Sequence, residues 1–324
     1  MKKVLFRYDA YEELGMGHAF RCIELIKQLK NVACVAALSK KTTLSFEQLK
    51  KNHIPFFIFD QCDELYDYVS GNSVDVVVND ILDTEKEYII KLHEMNCRVI
   101  NLEDNGEGSR YADAVINELY ERETASGHVY NGKDYYCLPE NMQEVSKNEY
   151  RESVENVIVL FGNTDPAYLT EKSITAIANI RCLQKIKVTV VVGAGNERME
   201  AITALADDAR QDIRVVKGGD ISAILKFADL AICSQGRTMY ELAHYAVPSI
   251  ILAENERETL HTFAQLKNGF LNLGLGTEVS GECIAGAVTV LCESSNVRKA
   301  LYDSMVDLHL EKGIDRVREI ILLG

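Results

Sequence analysis

No apolar run in the chain approaches the roughly 18 residues that a membrane helix needs. The N-terminus, Met1 to Arg7, turns charged after at most three apolar residues, too few for the core of a signal peptide. A cytoplasmic protein without membrane insertion is expected. The sequence also has no Cys-x-x-Cys pair. Its nine cysteines (Cys22, Cys34, Cys62, Cys97, Cys137, Cys182, Cys233, Cys283 and Cys292) are scattered, several in apolar strand-like segments such as 32–36. They read as reduced core cysteines, neither a disulfide framework nor a zinc site. The seven histidines are equally dispersed, so no metal and no cofactor is expected. Basic residues are in deficit: 35 Lys and Arg against 49 Asp and Glu give 35 − 49 = −14. A nucleic-acid backbone or an anionic membrane would be repelled, whereas a small phosphorylated metabolite needs only a few local donors. Short repeats, low-complexity tracts and long Gly/Ser linkers are missing too.

The 324 residues suggest two domains at roughly 100–200 residues each. Composition is ordinary for a globular protein, 47% hydrophobic and 26% charged. Short Val- and Ile-rich runs alternate with stretches of helical period, which predicts an α/β fold with parallel sheets. Expected strands in the first half are Lys3–Phe6, Val32–Ala37, Pro55–Ile58, Val74–Val78, Arg98–Leu102 and Ala114–Ile116, with helices such as His18–Leu29 and Glu85–Met95 between them. The rhythm restarts with Asn156–Phe161, Val188–Val192, Ile213–Val216, Leu230–Cys233 and Ser249–Leu252. It lapses over Ser146–Glu155, which places the division between residues 1–148 and 149–324. Two doubly wound, Rossmann-like domains facing across a cleft are expected, with ligands at the carboxyl ends of the strands. The charged segment Val297–Leu323 reads as one or two helices able to pack back on the first domain.

Three strand-to-helix junctions carry the candidate chemistry. After the first strand come Arg7-Tyr8-Asp9 and then Gly15-Met16-Gly17-His18, with Arg21 a turn on. The two glycines permit a tight turn, and the helix start offers free amides to an anion. No third glycine follows at dinucleotide spacing, which disfavours a nicotinamide cofactor. A helix N-terminus disfavours imidazolium, so His18 is either a neutral general base or only a cap. The second junction, Gly162-Asn163-Thr164-Asp165-Pro166, has Thr164 or Asp165 as a helix cap and Pro166 at the first helical position. At the third, amides near Gln235-Gly236-Arg237-Thr238 are placed for phosphate, and Glu241, one turn on, for ribose hydroxyls.

Together these residues resemble a family of UDP-sugar hydrolases of pseudaminic acid biosynthesis, the UDP-2,4-diacetamido-2,4,6-trideoxy-β-L-altropyranose hydrolases, and related spore-coat polysaccharide proteins. The resemblance rests on Arg7-x-Asp9, Gly15-x-Gly17-His18-x-x-Arg21, Asp80 after a strand, Gly162-x-x-Asp165, Gly236-x-Thr238-x-x-Glu241 and Asn255. It implies the GT-B fold and metal-free release of UDP, with His18 as the base that activates water at the anomeric carbon. It further implies a sugar side formed by Arg7, Asp9, Gly15, Gly17, Arg21, Asp80 and Asn255. The nucleotide side would comprise Gly162, Asn163, Thr164, Asp165, Gln235, Gly236, Arg237, Thr238 and Glu241. Leu82 stands where the family carries a tyrosine, and Asn255-Glu256 where it carries Asn-Gln. Arg237 adds a guanidinium able to bind phosphate oxygens. The expected activity is hydrolysis of a nucleotide-linked amino or deoxy sugar; a glycosyltransferase of the same fold, or a binding module without turnover, are the alternatives.

Overall fold

The computed structural model describes residues 1–120, 127–178 and 180–323. It divides into two compact units, Met1–Glu140 with Leu310–Gly324, and Asn141–His309. The units meet eight residues before the division expected at 148/149, and the last segment returns to the first unit.

In the first unit the strands are β1 (Lys3–Tyr8), β2 (Ala33–Ser39), β3 (Phe56–Phe59), β4 (Val76–Asp80), β5 (Arg98–Leu102), β6 (Ala114–Asn117) and β7 (Val129–Asn131). Helices α1 (Gly17–Gln28), α2 (Phe46–Lys51), α3 (Cys62–Asn72) and α4 (Lys86–Glu94) connect the early strands, and α5 (Glu140–Gln143) straddles the boundary. The second unit holds β8 (Asn156–Leu160), β9 (Lys187–Val192), β10 (Asp212–Lys217), β11 (Leu230–Ser234), β12 (Ser249–Ala253) and β13 (Phe270–Leu275). Its helices are α6 (Leu169–Ile177), α7 (Met199–Asp207), α8 (Ile221–Leu225), α9 (Thr238–His244), α10 (Gly281–Glu293) and α11 (Ser295–Val306); α12 (Gly313–Leu322) belongs to the first unit.

Both sheets are parallel, in the orders β3-β2-β1-β4-β5-β6-β7 and β10-β9-β8-β11-β12-β13. The strand order reverses beside β1 and β8, the position where doubly wound sheets bind ligands at their carboxyl ends. Central strands such as Val76–Asp80 and Lys187–Val192 are nearly continuous in valine because helices cover both their faces. Alternation along β1 shows this directly. Val4, Phe6 and Tyr8 join a core with Ala19, Cys22 and Leu25 of α1 and Ile314, Val317, Ile320 and Ile321 of α12, while Leu5 joins Leu65, Val69, Val77 and Ile89 on the other face. Two strands escape the sequence pattern: β7 is three half-buried residues, and edge strand β13 carries Asn272 and Gly274 among its leucines. All nine cysteines are free, but Cys62 and Cys283 are exposed in the first turns of α3 and α10, a correction to their expected place in the core.

Candidate functional site

The loop after β1 turns at Gly15, whose φ of +76° suits glycine, and enters α1 at Gly17. Among the described residues no side chain caps this helix and no acidic residue lies in its first turn, so its opening amides and positive dipole end have no side-chain partner there. His18 and Arg21, three apart, share one helix face and both descend onto Asp80 at the end of β4. The His18 Nδ1 meets Asp80 Oδ1 in a short contact. Arg21 grips the same carboxylate in bidentate fashion, Nε to Oδ2 at 2.8 Å and Nη2 to Oδ1 at 2.6 Å. Its Nη1 reaches Glu118 Oε1 at 2.7 Å and Glu103 Oε1 at 3.0 Å. Asp80 is fully buried, and Arg21 is 2% exposed.

Burial alone would drive these acids toward the protonated form. Arg21, followed by His18, overrides it: Asp80 is held well below the usual carboxylate range, and Glu103 falls to about 2. An ionised carboxylate only accepts hydrogen bonds. The proton between His18 and Asp80 therefore sits on Nδ1, and Nε2 lies outside the pair. Nε2 has no hydrogen-bond partner among the described residues. A buried carboxylate behind an imidazole fixes its tautomer and stabilises the imidazolium formed when the other nitrogen takes a proton. That is the equipment of a general base.

Glu103 and Glu118 escaped the sequence reading because they lie far from His18 along the chain. The one local signal is visible only in the structure: Glu103 has φ +56°, a left-handed conformation unusual for a side-chain-bearing residue and typical of functional sites. Ligand atoms of His18, Asp80 and Glu103 lie within 4.8 Å of one another, a grouping that could hold a metal ion and that sequence spacing did not disclose. The Arg21 guanidinium already stands between the two carboxylates as their cation. A chelator is therefore expected to leave turnover unchanged; activity lost in EDTA and restored by Mg²⁺ would overturn that expectation.

The expected sugar-side residues divide. Arg21 and Asp80 are buried with their polar atoms facing one another, as supports of His18. Asp9 accepts from the Ser39 amide and the Thr42 hydroxyl, both at 3.2 Å, and so ties down the loop after β2. Arg7 lies across the sheet from His18, its guanidinium carbon 4.5 Å from the Tyr88 ring centre and 5.4 Å from that of Phe59. Leu82, at φ +67°, bends the half-buried loop after Asp80. Asn255 belongs to the second unit, where it is exposed and accepts from the Glu258 amide at 3.0 Å. The chain does not place it beside the other six within one unit.

In the second unit, β8 is followed by Gly162, at φ +60°, and Asn163, whose Oδ1 accepts from Gly195 N at 3.2 Å. Thr164 is buried. Asp165 accepts from the amides of Leu169 and Thr170, both at 2.9 Å, and thereby satisfies the first turn of α6. Gln235, at the end of β11, donates to His261 O at 2.8 Å and accepts from Asn272 at 3.1 Å. The side chains of Asp165 and Gln235 thus tie the two loops internally. Gly236 and Arg237 lead into α9, which begins at Thr238, and all three are half-buried. Glu241 is half-buried in the next turn and its carboxyl makes no hydrogen bond among the described residues. Burial raises its pKa, with Arg237 opposing. Glu254 follows β12; burial, then Glu258 and Asp165, push its pKa well up.

No family model matches the chain. It is 26% identical over 332 residues to the spore coat polysaccharide biosynthesis protein SpsG of Bacillus subtilis, covering 98% of this chain and 96% of that one. It is 23% identical to the uncharacterized protein MJ1062 of Methanocaldococcus jannaschii over 276 residues, 78% of this chain and 56% of that protein. Among solved structures it superposes on MurG of Acinetobacter baumannii with a TM-score of 0.71 at 16% identity, covering 99% of each chain. The spinosyn rhamnosyltransferase SpnG complexed with thymidine diphosphate gives 0.60 at 11% identity, over 98% of this chain and 100% of that one. The fold is GT-B. Among the described residues no helix is long and apolar enough to cross a membrane.

Proposed function

We propose that the chain hydrolyses a nucleotide-activated amino or deoxy sugar, most simply a UDP sugar, in surface-polysaccharide synthesis. The observation that carries this reading is the His18 imidazole held by ionised Asp80 with Nε2 unbonded, at a helix start beside the strand-order reversal. Its Nε2 takes the proton of a water as that water attacks the anomeric carbon, and the nucleoside diphosphate leaves with its phosphates near helix-start amides. Full-length similarity to a spore-coat polysaccharide protein supports the pathway class. A fold neighbour recorded with thymidine diphosphate supports the ligand class, a nucleoside diphosphate.

In this reading Gly162, Asn163, Thr164, Gly236, Arg237, Thr238 and Glu241 line the nucleotide, and Asp165 and Gln235 shape the loops that hold it. Within the first unit Gly15, Gly17 and Asp9 shape the sugar side, without metal or cofactor. Incubation with UDP-sugar donors and analysis of products tests it. Free sugar plus UDP without an added acceptor supports hydrolysis. Release that depends on an added acceptor assigns the base to an acceptor hydroxyl, and binding without turnover on any donor leaves a binding module.

Glu241 tests the nucleotide placement separately. If its carboxylate holds the ribose hydroxyls, Glu241→Ala removes charge-assisted hydrogen bonds of about 1.5–3 kcal/mol, a loss of roughly 10- to 150-fold in UDP affinity. A 2′,3′-dideoxy analogue should lose much less. Equal losses for both ligands, measured by calorimetry, would remove Glu241 from the ribose.

A further inference from the structure

Cys182 and Cys292 stand 292 − 182 = 110 residues apart in the chain and meet in the second unit. Cys182 lies in the 3₁₀ turn Arg181–Leu183 that follows α6, and Cys292 in the last turn of α10. Both pack against the core that holds Leu183, Ile186, Val188 and Leu291, yet neither is closed off: each is half-buried. Their thiols hydrogen-bond one another. Two sulfurs in that contact need only a short approach to reach the roughly 2.0 Å of a disulfide. A short turn and a helix end are the parts of a fold best able to supply it.

The surroundings distinguish the two thiols. Burial pushes both up, Cys292 to about 12, while hydrogen bonding to Cys292 and to the Thr289 hydroxyl holds back the rise at Cys182. The thiolate is the nucleophile, so Cys182 is the attacking group and Cys292 the resolving one. Arg298, which donates to Leu291 O at 2.7 Å and fixes the end of α10, favours the Cys292 thiolate in the second step.

We infer that Cys182 and Cys292 form a thiol–disulfide exchange site, which a small-molecule disulfide such as oxidised glutathione closes into a bond stapling α10 to the turn before β9. The Cys182 thiolate attacks one glutathione sulfur; a mixed disulfide forms and the first glutathione leaves as thiolate. Cys292 gives its proton to solvent, attacks the Cys182 sulfur and expels the second glutathione. Two electrons pass from the protein dithiol to glutathione. The closed loop contains β9 to β13, and a link across so long a loop chiefly restricts the unfolded chain. Cys182 precedes β9 and so lies at the amino end of that strand, whereas the nucleotide-side candidates follow the carboxyl ends of β8 and β11. The inference stands independently of the nucleotide-sugar reading, because its test uses no substrate.

The full chain is incubated with oxidised glutathione, quenched with iodoacetamide and mapped by mass spectrometry. A peptide pair joined through Cys182 and Cys292 is expected, with the melting midpoint of the second unit raised by roughly 5–15 °C and restored by dithiothreitol. In Cys292→Ala, Cys182 should keep its glutathione, because no resolving thiol expels it. In Cys182→Ala, Cys292 should stay a free thiol while the exposed Cys62 and Cys283 take up glutathione. Absence of the joined peptide once Cys62 and Cys283 have reacted, a joined pair without a rise in midpoint, a free Cys182 in Cys292→Ala, or glutathione on Cys292 in Cys182→Ala would each overturn the proposal.

Discussion

Replacing His18 by asparagine is expected to lower turnover of the nucleotide-sugar donor by roughly 10²- to 10⁴-fold, the usual contribution of a general base. Asparagine can still donate an N–H to Asp80, so the buried carboxylate keeps a partner and the loop keeps its anchor. What disappears is the second ring nitrogen. Affinity for UDP should be unchanged, because the proposed nucleotide contacts lie in the other compact unit. Steady-state kinetics with calorimetric titration of UDP separates the two effects. A variant with near wild-type turnover would take His18 out of the mechanism, and one that lost UDP binding in parallel would show that His18 acts through nucleotide placement.

The largest stability effect is expected at Arg21. Arg21→Met strands Asp80, Glu103 and Glu118 without their shared guanidinium. Breaking a buried ion pair from one side costs roughly 3–5 kcal/mol, much of the roughly 5–15 kcal/mol that keeps a domain folded. In urea the first unit should melt far earlier, while the second keeps its midpoint. The pH dependence supplies the sign. Burial opposes ionisation of Glu103 and Arg21 overrides it, so its folded pKa lies at about 2 against an ordinary 4.5. Its stabilising contribution is present above the ordinary value and is lost as pH falls toward the folded one. In Arg21→Met burial and mutual repulsion are opposed by His18 without the guanidinium, the acids shift upward, and protonation relieves the variant. The gap between wild type and variant should therefore be widest above about pH 5 and close toward about pH 3. A gap independent of pH would show that the loss comes from packing of the arginine stem.

The alternation of valine-rich strands with helices was enough to read both sheets, because parallel strands buried on two faces leave a dense apolar signal. The edge strands β7 and β13 lack it, being only partly covered. His18 was legible from its place between a glycine turn and a helix start. Its supports were not: Glu103 and Glu118 reach Arg21 only because β5 and β6 lie beyond β4 in the sheet, an adjacency that sequence spacing does not encode. Asp165 and Gln235 show the converse limit. A polar residue at a strand's carboxyl end looks the same in sequence whether it faces a ligand or closes the backbone of its own loop.

The return of residues 310–324 to the first unit governs the order in which the protein can be made. Ile314, Val317, Ile320 and Ile321 fill the same core as Val4, Phe6 and Ala19, so that core stays open on the ribosome while residues 141–309 are synthesised. At roughly 5–20 residues per second this lasts on the order of 10 s. The second unit, continuous in sequence, is the one able to fold first. The nascent first half meanwhile leaves the seat of α12 as uncovered apolar surface until residues 310–324 have emerged.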